Sequence, residues 1–441
     1  MTKSTVFEER KKGFKDLLLL LVATIVLGGL FLFVFFNPDY SKIFYIIVSA
    51  IALYLSVFYV RTDHREKDLK VLPPQKFPSL SVLIPSYNSA NSIGNCLRYV
   101  LAIKYPRPFT ITVIDDCSTD NTQEVLKEFP SVKVVHNPHN KGKSKSLNSA
   151  IRMATTELVV CIDSDTYPNP NVFLDCVPQF YTKEKVGAVT PFITVANPKT
   201  WVQKIQEIEY FFGFGFFPKV ASKLDGLYVA PGPLSIFNRK VLMEIGGYDE
   251  DNLTEDMEIA LRLHAHGYSL GYAPSSVPTE VPDTWGGLYH QRTRWYRGTI
   301  FNIIKYKNMF FNRKLKSFGG FFFPALVLFV TTVILSFLVI WSLILFSIFY
   351  TLSAWSLSLA NGHFPLELPA EITVPSLLVF LAMAAIIYYV FFVRSISMLN
   401  IKRSRNMVLP ITITLLFYPL WISVVYTTSL FQELAATKRS W

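Results

Sequence analysis

Residues Leu158-Val159-Val160-Cys161-Ile162-Asp163-Ser164-Asp165 form an apolar run of strand length that stops at two aspartates. A short continuous apolar run, rich in β-branched residues and without polar alternation, is typical of a strand buried on both faces of a sheet. We therefore expect a buried strand over Leu158–Ile162, with an acidic turn at its carboxyl end.

The same pattern recurs upstream of this strand. Residues 80–85 are an apolar run stopped by proline, and residues 109–114 are another, stopped by Asp115-Asp116. Strands that alternate with helices imply right-handed crossovers and a mostly parallel sheet, with ligands at the carboxyl ends of the strands. The predicted strands are 80–85, 109–114, 132–135 and 158–162, and the predicted helices are 93–103, 122–129 and 145–155.

The acidic turn at Asp163 and Asp165 suits a divalent cation. Carboxylates in an Asp-Xaa-Asp turn offer the oxygen ligands that Mg and Mn prefer, and the cation in turn bridges substrate phosphates. Aspartates in turns also commonly bond the backbone alone. The motif by itself leaves both interpretations open.

Asn140-Lys141-Gly142-Lys143-Ser144 opens one of the predicted helices. Free amides and a lysine at a helix start favour phosphate, and a solvated, capped helix start is the alternative. The segment lacks the full spacing of a phosphate-binding P-loop, which disfavours kinase or ATPase chemistry.

Long uncharged segments flank this polar region. Residues 17–36 and 43–60 precede it, and residues 319–350, 374–393 and 408–431 follow it. About 20 apolar residues cross a hydrocarbon core, so we expect two transmembrane helices before the polar region and three after it. The first segment is too long for a signal-peptide core and is not followed by a small-residue cleavage site, which favours a retained helix.

Positive residues predict the orientation. The segment 317–361 has room for one helix or two, and the loop 394–405 holds Arg394, Lys402, Arg403 and Arg405. Such residues prefer the cytoplasmic side, which favours one helix, a cytosolic central region and an outward carboxy terminus. We predict a multi-pass protein of the plasma or cell membrane, with two helices in 1–62, a cytosolic domain at 63–316 and three helices in 317–441.

The net charge of +11 does not indicate nucleic acid. Much of it lies at the edges of the predicted spans, where lipid headgroups are anionic, so membrane lipids are the expected partners. Cys96, Cys117, Cys161 and Cys176 all fall in the predicted cytosolic domain at spacings unlike a zinc site, and we expect them to be reduced. The sequence leaves the oligomeric state open.

Residues 199–217 set Trp201, Ile205 and Ile208 against Gln203 and Glu207 at helical spacing. We expect an amphipathic helix that lies in the membrane interface, with an ordinary packed helix as the alternative. A second interfacial segment is expected around 285–300.

Four motifs, in order, resemble the nucleotide-sugar half of the family 2 glycosyltransferases: Ile84 to Asn88, Val113 to Asp120, Asn140 to Ser144 and Asp163 to Asp165. The resemblance implies an α/β GT-A fold, with a Rossmann-like, mixed and mostly parallel sheet inserted between the transmembrane segments. It also implies a UDP-sugar donor held through Mg or Mn.

The resemblance implies specific donor-site residues as well. Tyr87 and the Asp115-Asp116 pair would surround the base, with Asp116 the better candidate of the two, and Lys143 would lie near the base or the diphosphate. Asp163 and Asp165 would hold the metal. The implied donor-binding residues are Pro85, Tyr87, Asp115, Asp116, Lys143, Asp163, Ser164, Asp165, Gln291 and Arg294.

Gln291-Arg292-Thr293-Arg294-Trp295 matches the Gln-Xaa-Xaa-Arg-Trp pattern of membrane-bound, often processive members such as cellulose, hyaluronan and poly-N-acetylglucosamine synthases. A guanidinium suits diphosphate binding and the leaving-group charge, and a tryptophan face can stack on a sugar. The alternative is a juxtamembrane anchor.

Gly232-Pro233-Leu234 resembles the acceptor segment of the family, with a plain turn as its alternative. The implied acceptor-binding residues are Gly232, Pro233, Leu234 and Trp295.

Thr254-Glu255-Asp256 precedes a segment with helical apolar spacing. A capped helix start with two favourable acids is one interpretation. The other makes Asp256 the general base that deprotonates an acceptor hydroxyl, with Glu255 and Arg294 as the further catalytic residues. We favour the base, which does not exclude a cap.

These features predict an inverting, metal-dependent glycosyltransferase that moves a sugar from a UDP-sugar to a saccharide acceptor, builds a β-linked polysaccharide and guides it across the bilayer. One alternative is transfer of a single sugar to a lipid such as ceramide, diacylglycerol or polyprenyl phosphate. Another is a transporter that senses a nucleotide sugar, but the predicted spans contain almost no ionisable residues, and such residues usually mark a transport path.

Overall fold

A computed structural model describes residues 76–362 and 408–435 of the chain. The spans predicted at 17–36, 43–60 and 374–393, and the loop at 394–405, lie outside the described residues. The strands are β1 (Leu80–Ser86), β2 (Thr110–Asp115), β3 (Lys133–His136), β4 (Leu158–Ile162), β5 (Val186–Val195), β6 (Leu234–Asn238) and β7 (Ser269–Thr279). The helices are α1 (Ile93–Leu101), α2 (Thr122–Lys127), α3 (Lys143–Met153), α4 (Val172–Cys176), α5 (Trp201–Tyr210), α6 (Phe217–Ser222), α7 (Arg239–Glu244), α8 (Glu255–Ala265), α9 (Trp285–Lys305), α10 (Phe323–Ala360), α11 (Val408–Leu416) and α12 (Tyr418–Leu434).

The strands form one seven-stranded sheet in the order β3-β2-β1-β4-β6-β5-β7. The pairs β1 with β2, β2 with β3, β1 with β4 and β5 with β7 are parallel, whereas β6 is antiparallel to both β4 and β5. The prediction of a mixed, mostly parallel sheet is therefore confirmed. Because six strands share one direction, their carboxyl ends meet at one edge of the sheet.

Helices cover both faces of the sheet. In β4, the side chains of Leu158, Val160 and Ile162 enter one buried apolar cluster, and those of Val159 and Cys161 enter another on the opposite face. Side chains of α1 and α4 complete the first cluster, and side chains of α3 complete the second. Burial on both faces explains why this strand reads as a continuous apolar run.

The predicted amphipathic segment 199–217 is not one regular helix. Helix α5 begins at Trp201, where Thr200 and Gln203 form a reciprocal capping box, and the chain continues as a π-helix over Phe211–Phe216 before α6. Gly213 and Gly215 lie in this π-helical stretch, and glycine lowers helix propensity. The second expected interfacial segment, around 285–300, is the first part of α9.

The segment after residue 317 forms one long helix, α10, preceded by a π-helical turn at Phe318–Phe322. Within the described ranges, one helix is long and apolar enough to cross a membrane, and its 18-residue apolar window is Phe318–Leu335. The uncharged stretch 408–431, which was expected to be a single span, forms two consecutive helices, α11 and α12, separated at Phe417. Pro419, at the start of α12, has no N–H to continue the helical bonding.

Helix α12 packs against α9 and α10. Tyr296 stacks on Tyr426 with ring centroids 3.7 Å apart, and the Arg297 Nε donates to Glu433 Oε1 at 2.7 Å. Both members of that ion pair are largely buried. The helix that carries the Gln-Xaa-Xaa-Arg-Trp motif is thus held between the sheet domain and the carboxy-terminal helices.

The start of α8 is held against α9 by a buried polar network. Asn302 Nδ2 donates to Thr254 Oγ1 at 3.0 Å, and Asn252 Nδ2 donates to Asn302 Oδ1 at 2.8 Å. Thr254 was considered as a helix cap, but its side chain makes no capping bond. Its hydroxyl belongs to this network, which fixes where Glu255 and Asp256 lie.

We expect Gly298→Ala to disturb this contact, because a Cβ at position 298 would overlap the side chain of Thr254. Overpacking of this kind costs about 1 to 3 kcal/mol of unfolding free energy. Gly286→Ala, in the same helix, is the control, since a Cβ there meets nothing within 4 Å. Thermal unfolding of the purified variants measures the difference. Equal melting temperatures for the two variants would contradict the packing described.

Candidate active site

Residues that are far apart in the sequence meet at the carboxyl edge of the sheet. A small cavity lies beyond the ends of β1 and β4 and is also bounded by the starts of α3 and α8. Six of the predicted site residues line it, namely Pro85, Lys143, Asp163, Gly232, Glu255 and Asp256. Residues of the motifs predicted for the donor and for the acceptor therefore line the same cavity.

Lys143 lies between two of the acidic motifs. Its Nζ is 2.6 Å from Asp163 Oδ1 and 3.3 Å from Glu255 Oε1. Burial lowers the pKa of this ammonium, but the charges of Asp163 and Glu255 raise it more, so the net shift is upward. Lys143 is therefore protonated at neutral pH and acts as a resident cation among the carboxylates.

Gly232 allows the chain to approach this ion pair closely. A Cβ at position 232 would lie 2.8 Å from Lys143 Nζ and 2.9 Å from Asp163 Oδ2. The neighbouring Pro233 carbonyl accepts a hydrogen bond from the Asp163 amide at 3.3 Å. Leu234 is fully buried in the sheet, where its side chain packs the core, which differs from the expected contact with an acceptor.

Asp165 is the second aspartate of the acidic turn. Its Oδ1 accepts from the Thr279 hydroxyl at 3.3 Å and from the Thr166 hydroxyl at 3.4 Å. Burial, and then the charge of Asp163, raise its pKa to about 6. Two neighbouring carboxylates carry like charges that repel each other, and a divalent cation between them relieves that repulsion.

The described residues contain no group of three or more His, Cys, Asp or Glu side chains arranged to hold a metal by themselves. Mg sites in proteins can use one or two carboxylates and complete their coordination with substrate phosphates. Asp163 and Asp165 are the two carboxylates that would hold such an ion here. The lysine ammonium beside Asp163 shows that this position accommodates positive charge.

Asp256 is partly buried at the start of α8. Its Oδ1 accepts from the Met257 amide at 2.8 Å, and its carbonyl accepts from the Ala230 amide at 3.0 Å. Burial, followed by the charge of Glu255, raises its pKa to about 6, although Lys143 and Arg294 act in the opposite direction. A carboxylate with this pKa is ionised at neutral pH and is a stronger base than an exposed aspartate.

Asp115 and Asp116 lie beneath the site and not on its surface. Asp116 accepts from the side chain of Asn137 at 2.7 Å and from the backbone amides of Lys141 and Gly142 at 3.0 and 2.7 Å. Two of the amides expected to be free for phosphate at this helix start, those of Lys141 and Gly142, therefore bind Asp116. The Asp116 carboxylate is buried and holds the loop that leads into Lys143, which differs from the expected contact with a base.

Asp115 is also fully buried. Its carboxylate accepts from Gln123 Nε2 at 3.0 Å and from the Ser118 amide at 3.1 Å, and it lies 3.0 Å from His136 Nδ1. Burial raises its pKa, but hydrogen bonds from Ser118, His136 and Gln123 outweigh burial and leave the pKa below its ordinary value. Asp115 joins the ends of β2 and β3.

Two predicted donor residues lie at the rim of the site. Tyr87 is 49% exposed directly after β1, so its ring is available to a ligand. Ser164, in the acidic turn, shares a hydrogen bond of 2.9 Å with the hydroxyl of Ser89. This bond links the turn to the segment that carries Tyr87.

The Gln-Xaa-Xaa-Arg-Trp motif lies on α9. Arg294 is partly buried, and its charge acts on Asp256. Gln291 Oε1 accepts a hydrogen bond from Arg292. Trp295 is partly buried against Tyr210 and Phe214, and the guanidinium carbon of Arg292 lies 4.1 Å from the centroid of its ring. Arg292 therefore covers one face of the indole.

Sequence reasoning missed the buried ion pair between Arg292 and Glu209, which holds this motif in place. Arg292 is fully buried, with its Nε 3.1 Å from Glu209 Oε1 and its Nη2 bonded to Glu209 Oε2. The hydroxyl of Tyr418 donates to the same Glu209 carboxylate at 2.7 Å. The sequence did contain one signal of this buried ion pair: Glu209 falls at helical spacing from the apolar residues Val202 and Ile205, and so on the same face of the helix.

Comparisons with known proteins show what this chain is similar to. The family model described as Glycosyl transferase family 2 matches residues 81–246. Poly-beta-1,6-N-acetyl-D-glucosamine synthase of Staphylococcus epidermidis is 31% identical over 273 residues, which are 61% of this chain and 65% of that protein. The enzyme of the same name from Staphylococcus aureus strain MSSA476 is 30% identical over 292 residues, or 65% of this chain and 69% of that protein.

A solved mannosyltransferase from Pyrobaculum calidifontis, in complex with GDP-Man and Mn2+, superposes with a TM-score of 0.52 at 20% identity and covers 87% of this chain and 97% of its own. At this identity the likeness concerns the fold, and it supports the predicted GT-A architecture of the sheet domain. Since the family match covers β1 to β6 and the Staphylococcus aureus relative is matched over more than two thirds of its length, this chain belongs to glycosyl transferase family 2.

Proposed function

We propose that this chain transfers N-acetylglucosamine from its UDP derivative to a saccharide acceptor, with inversion, and so builds a β-linked polysaccharide. The observation that carries the proposal is the set of four carboxylates, Asp163, Asp165, Glu255 and Asp256, gathered around Lys143 at the carboxyl edge of the sheet. The choice of sugar is supported by the names of the relatives from Staphylococcus, of which the chain spans about two thirds.

In this proposal the donor lies across the edge formed by Pro85, Tyr87 and the acidic turn. Asp163 and Asp165 would hold Mg or Mn, which when bound neutralises charge on the diphosphate. Lys143 and Arg294 bring further positive charge to the leaving group, and Gln291 extends this side of the site. Asp115 and Asp116 act indirectly, because they hold the strand ends and the loop before Lys143.

Asp256 is proposed to activate the acceptor. Its carboxylate takes the proton from the acceptor hydroxyl while the hydroxyl oxygen forms a bond to the anomeric carbon. The bond from that carbon to the diphosphate oxygen breaks, and UDP departs with the electron pair. Attack from the face opposite the diphosphate inverts an α-linked donor into a β-linked product. Trp295, partly buried beside Arg292, is the residue proposed to contact the acceptor.

The proposal also includes the membrane. We place two transmembrane helices in 1–62, a cytosolic domain at 63–316 with interfacial segments at 199–217 and 285–300, and further spans in 317–441. The apolar window Phe318–Leu335 and the packing of α12 on α9 support an origin of the product beside the membrane. The carboxy-terminal helices would then guide the growing chain across the bilayer.

The direct test supplies the purified full chain with radiolabelled UDP-N-acetylglucosamine and Mn, and sizes the product. We expect a high-molecular-weight product, reduced by roughly 10²- to 10⁴-fold in Asp256→Asn, because general base catalysis contributes on that order. Asp251→Asn, at an exposed aspartate nearby, is the matched control and should retain activity. A single labelled lipid would support the lipid-acceptor alternative, and no transfer from any UDP-sugar would contradict the proposal.

The pH profile tests the role of Asp256. Because the base must be ionised and its pKa is about 6, kcat/KM should fall as the pH decreases through that value. Glu255→Gln removes a negative charge that raises this pKa, so the acid limb of the profile should move to lower pH. Glu184→Gln, at an exposed position, should leave the profile in place. Superimposable profiles for wild type and Glu255→Gln would exclude Asp256 as the titrating base.

Lys143 and the metal should compete for Asp163. Lys143→Met removes the ammonium 2.6 Å from Asp163 Oδ1, and we expect Mn binding without nucleotide to tighten by roughly tenfold, or about 1.4 kcal/mol. UDP binding should weaken in the same variant, since a positive charge near the diphosphate is lost. Lys145→Met, at an exposed lysine of the same helix, is the control. Electron paramagnetic resonance titration of free Mn reports the first effect, and unchanged Mn affinity would contradict it.

A further inference from the structure

A second and larger cleft opens at the same carboxyl edge of the sheet. It has a volume of about 930 Å³, within the range of small-molecule sites in proteins. Its walls come from α1, from Tyr167 after the acidic turn, and from the segments that follow β5 and β7. Ligands of open α/β sheets bind at this edge, so the position favours a binding role.

The cleft shares a wall with the proposed metal turn. The Glu280 amide donates to the Asp165 carbonyl at 3.1 Å, and the Tyr167 amide donates to the Pro278 carbonyl at 2.7 Å. Thr279, the residue between Pro278 and Glu280, donates its hydroxyl to the Asp165 carboxylate. A ligand in the cleft would therefore lie beside the acidic turn that the donor is proposed to use.

The lining combines fixed aromatic rings with polar groups. Tyr99 is 50% exposed, and its ring centroid lies 5.5 Å from that of Tyr167. The Tyr167 hydroxyl is hydrogen-bonded to Glu280, so the ring against which Tyr99 packs is itself held in place. Exposed aromatic faces suit the apolar faces of sugar rings, and amides such as those of Asn95 and Asn197, which also line the cleft, suit their hydroxyl groups.

The charges in the cleft argue against an anionic ligand. Glu280 and Asp283 line it together with Lys199, which gives one more negative than positive charge. A phosphate or a nucleotide would meet that excess unfavourably, and an apolar lipid chain would remove these charged groups from water, which costs free energy. A neutral ligand rich in hydroxyl groups meets neither penalty.

We propose that this cleft is a subsite for a β-linked oligosaccharide, which binds sugars of the acceptor chain beyond the one that receives the transferred residue. The proposal rests on the proposed function for the identity of the sugar. Tyr99 supplies the stacking face, and the open volume accommodates more than one ring. Through the wall shared with Asp165, the cleft places bound chain next to the reaction site.

The test measures, by isothermal titration calorimetry, the binding of a β-1,6-linked N-acetylglucosamine pentasaccharide to the purified full chain in the absence of donor. We expect Tyr99→Ala to raise the Kd for the pentasaccharide by roughly tenfold, as truncation of an aromatic anchor commonly does. Tyr99→Phe should retain binding because the ring remains. Tyr181→Ala is the matched control, since Tyr181 is 53% exposed and lies outside the cleft.

Failure of this inference is distinguishable from failure of the proposed function. Suppose that the wild-type chain makes polymer. If Tyr99→Ala then binds the pentasaccharide as tightly as wild type does, or if wild type does not bind it, the cleft is not a saccharide subsite. Equal losses in Tyr99→Ala and Tyr99→Phe would overturn the stacking role. If the chain makes no polymer yet binds the pentasaccharide through Tyr99, the subsite stands and the polymerase function fails.

Discussion

The charge balance around Lys143 is the constraint on which the rest of the site depends. Carboxylates that approach one another repel and resist ionisation, and here Asp163 and Glu255 both contact one ammonium while Asp165 and Asp256 keep raised pKa values nearby. Two neighbouring residues support this arrangement of charges. Asp116 fixes the loop that precedes the lysine, and Gly232 leaves room for the ion pair. The divalent cation that accompanies a diphosphate donor would neutralise the excess negative charge that remains.

A second buried ion pair connects this chemistry to the carboxy-terminal helices. Arg292 and Glu209 join α9 to α5, Tyr418 brings in α12, and Arg292 also covers one face of Trp295. Removing one partner of a buried ion pair leaves an uncompensated charge, which is strongly destabilising. The relative positions of α9, α5 and α12 are therefore closely specified. This gives a physical reason for a sugar-transfer site and apolar helices to form one unit.

The sheet and the location of the site could be predicted from the sequence because both depend on local patterns. The run 158–162 has the composition of a doubly buried strand, and the aspartates that follow it must lie at the carboxyl edge. What could not be predicted depends on contacts between distant residues. The internal hydrogen bonds of Asp116, the burial of Leu234 and the pairing of Arg292 with Glu209 are set by tertiary packing. The break at Phe417 had a local signal in Pro419, which the uncharged run obscured.

A structure of the purified chain with UDP and Mn tests the central claim most directly. The account predicts Mn between the diphosphate and the carboxylates of Asp163 and Asp165, with the Lys143 ammonium moved from Asp163 to the diphosphate and Asp256 left open to an acceptor. Nucleotide bound away from this edge of the sheet, or Lys143 still paired with Asp163 beside a bound metal and diphosphate, would contradict it.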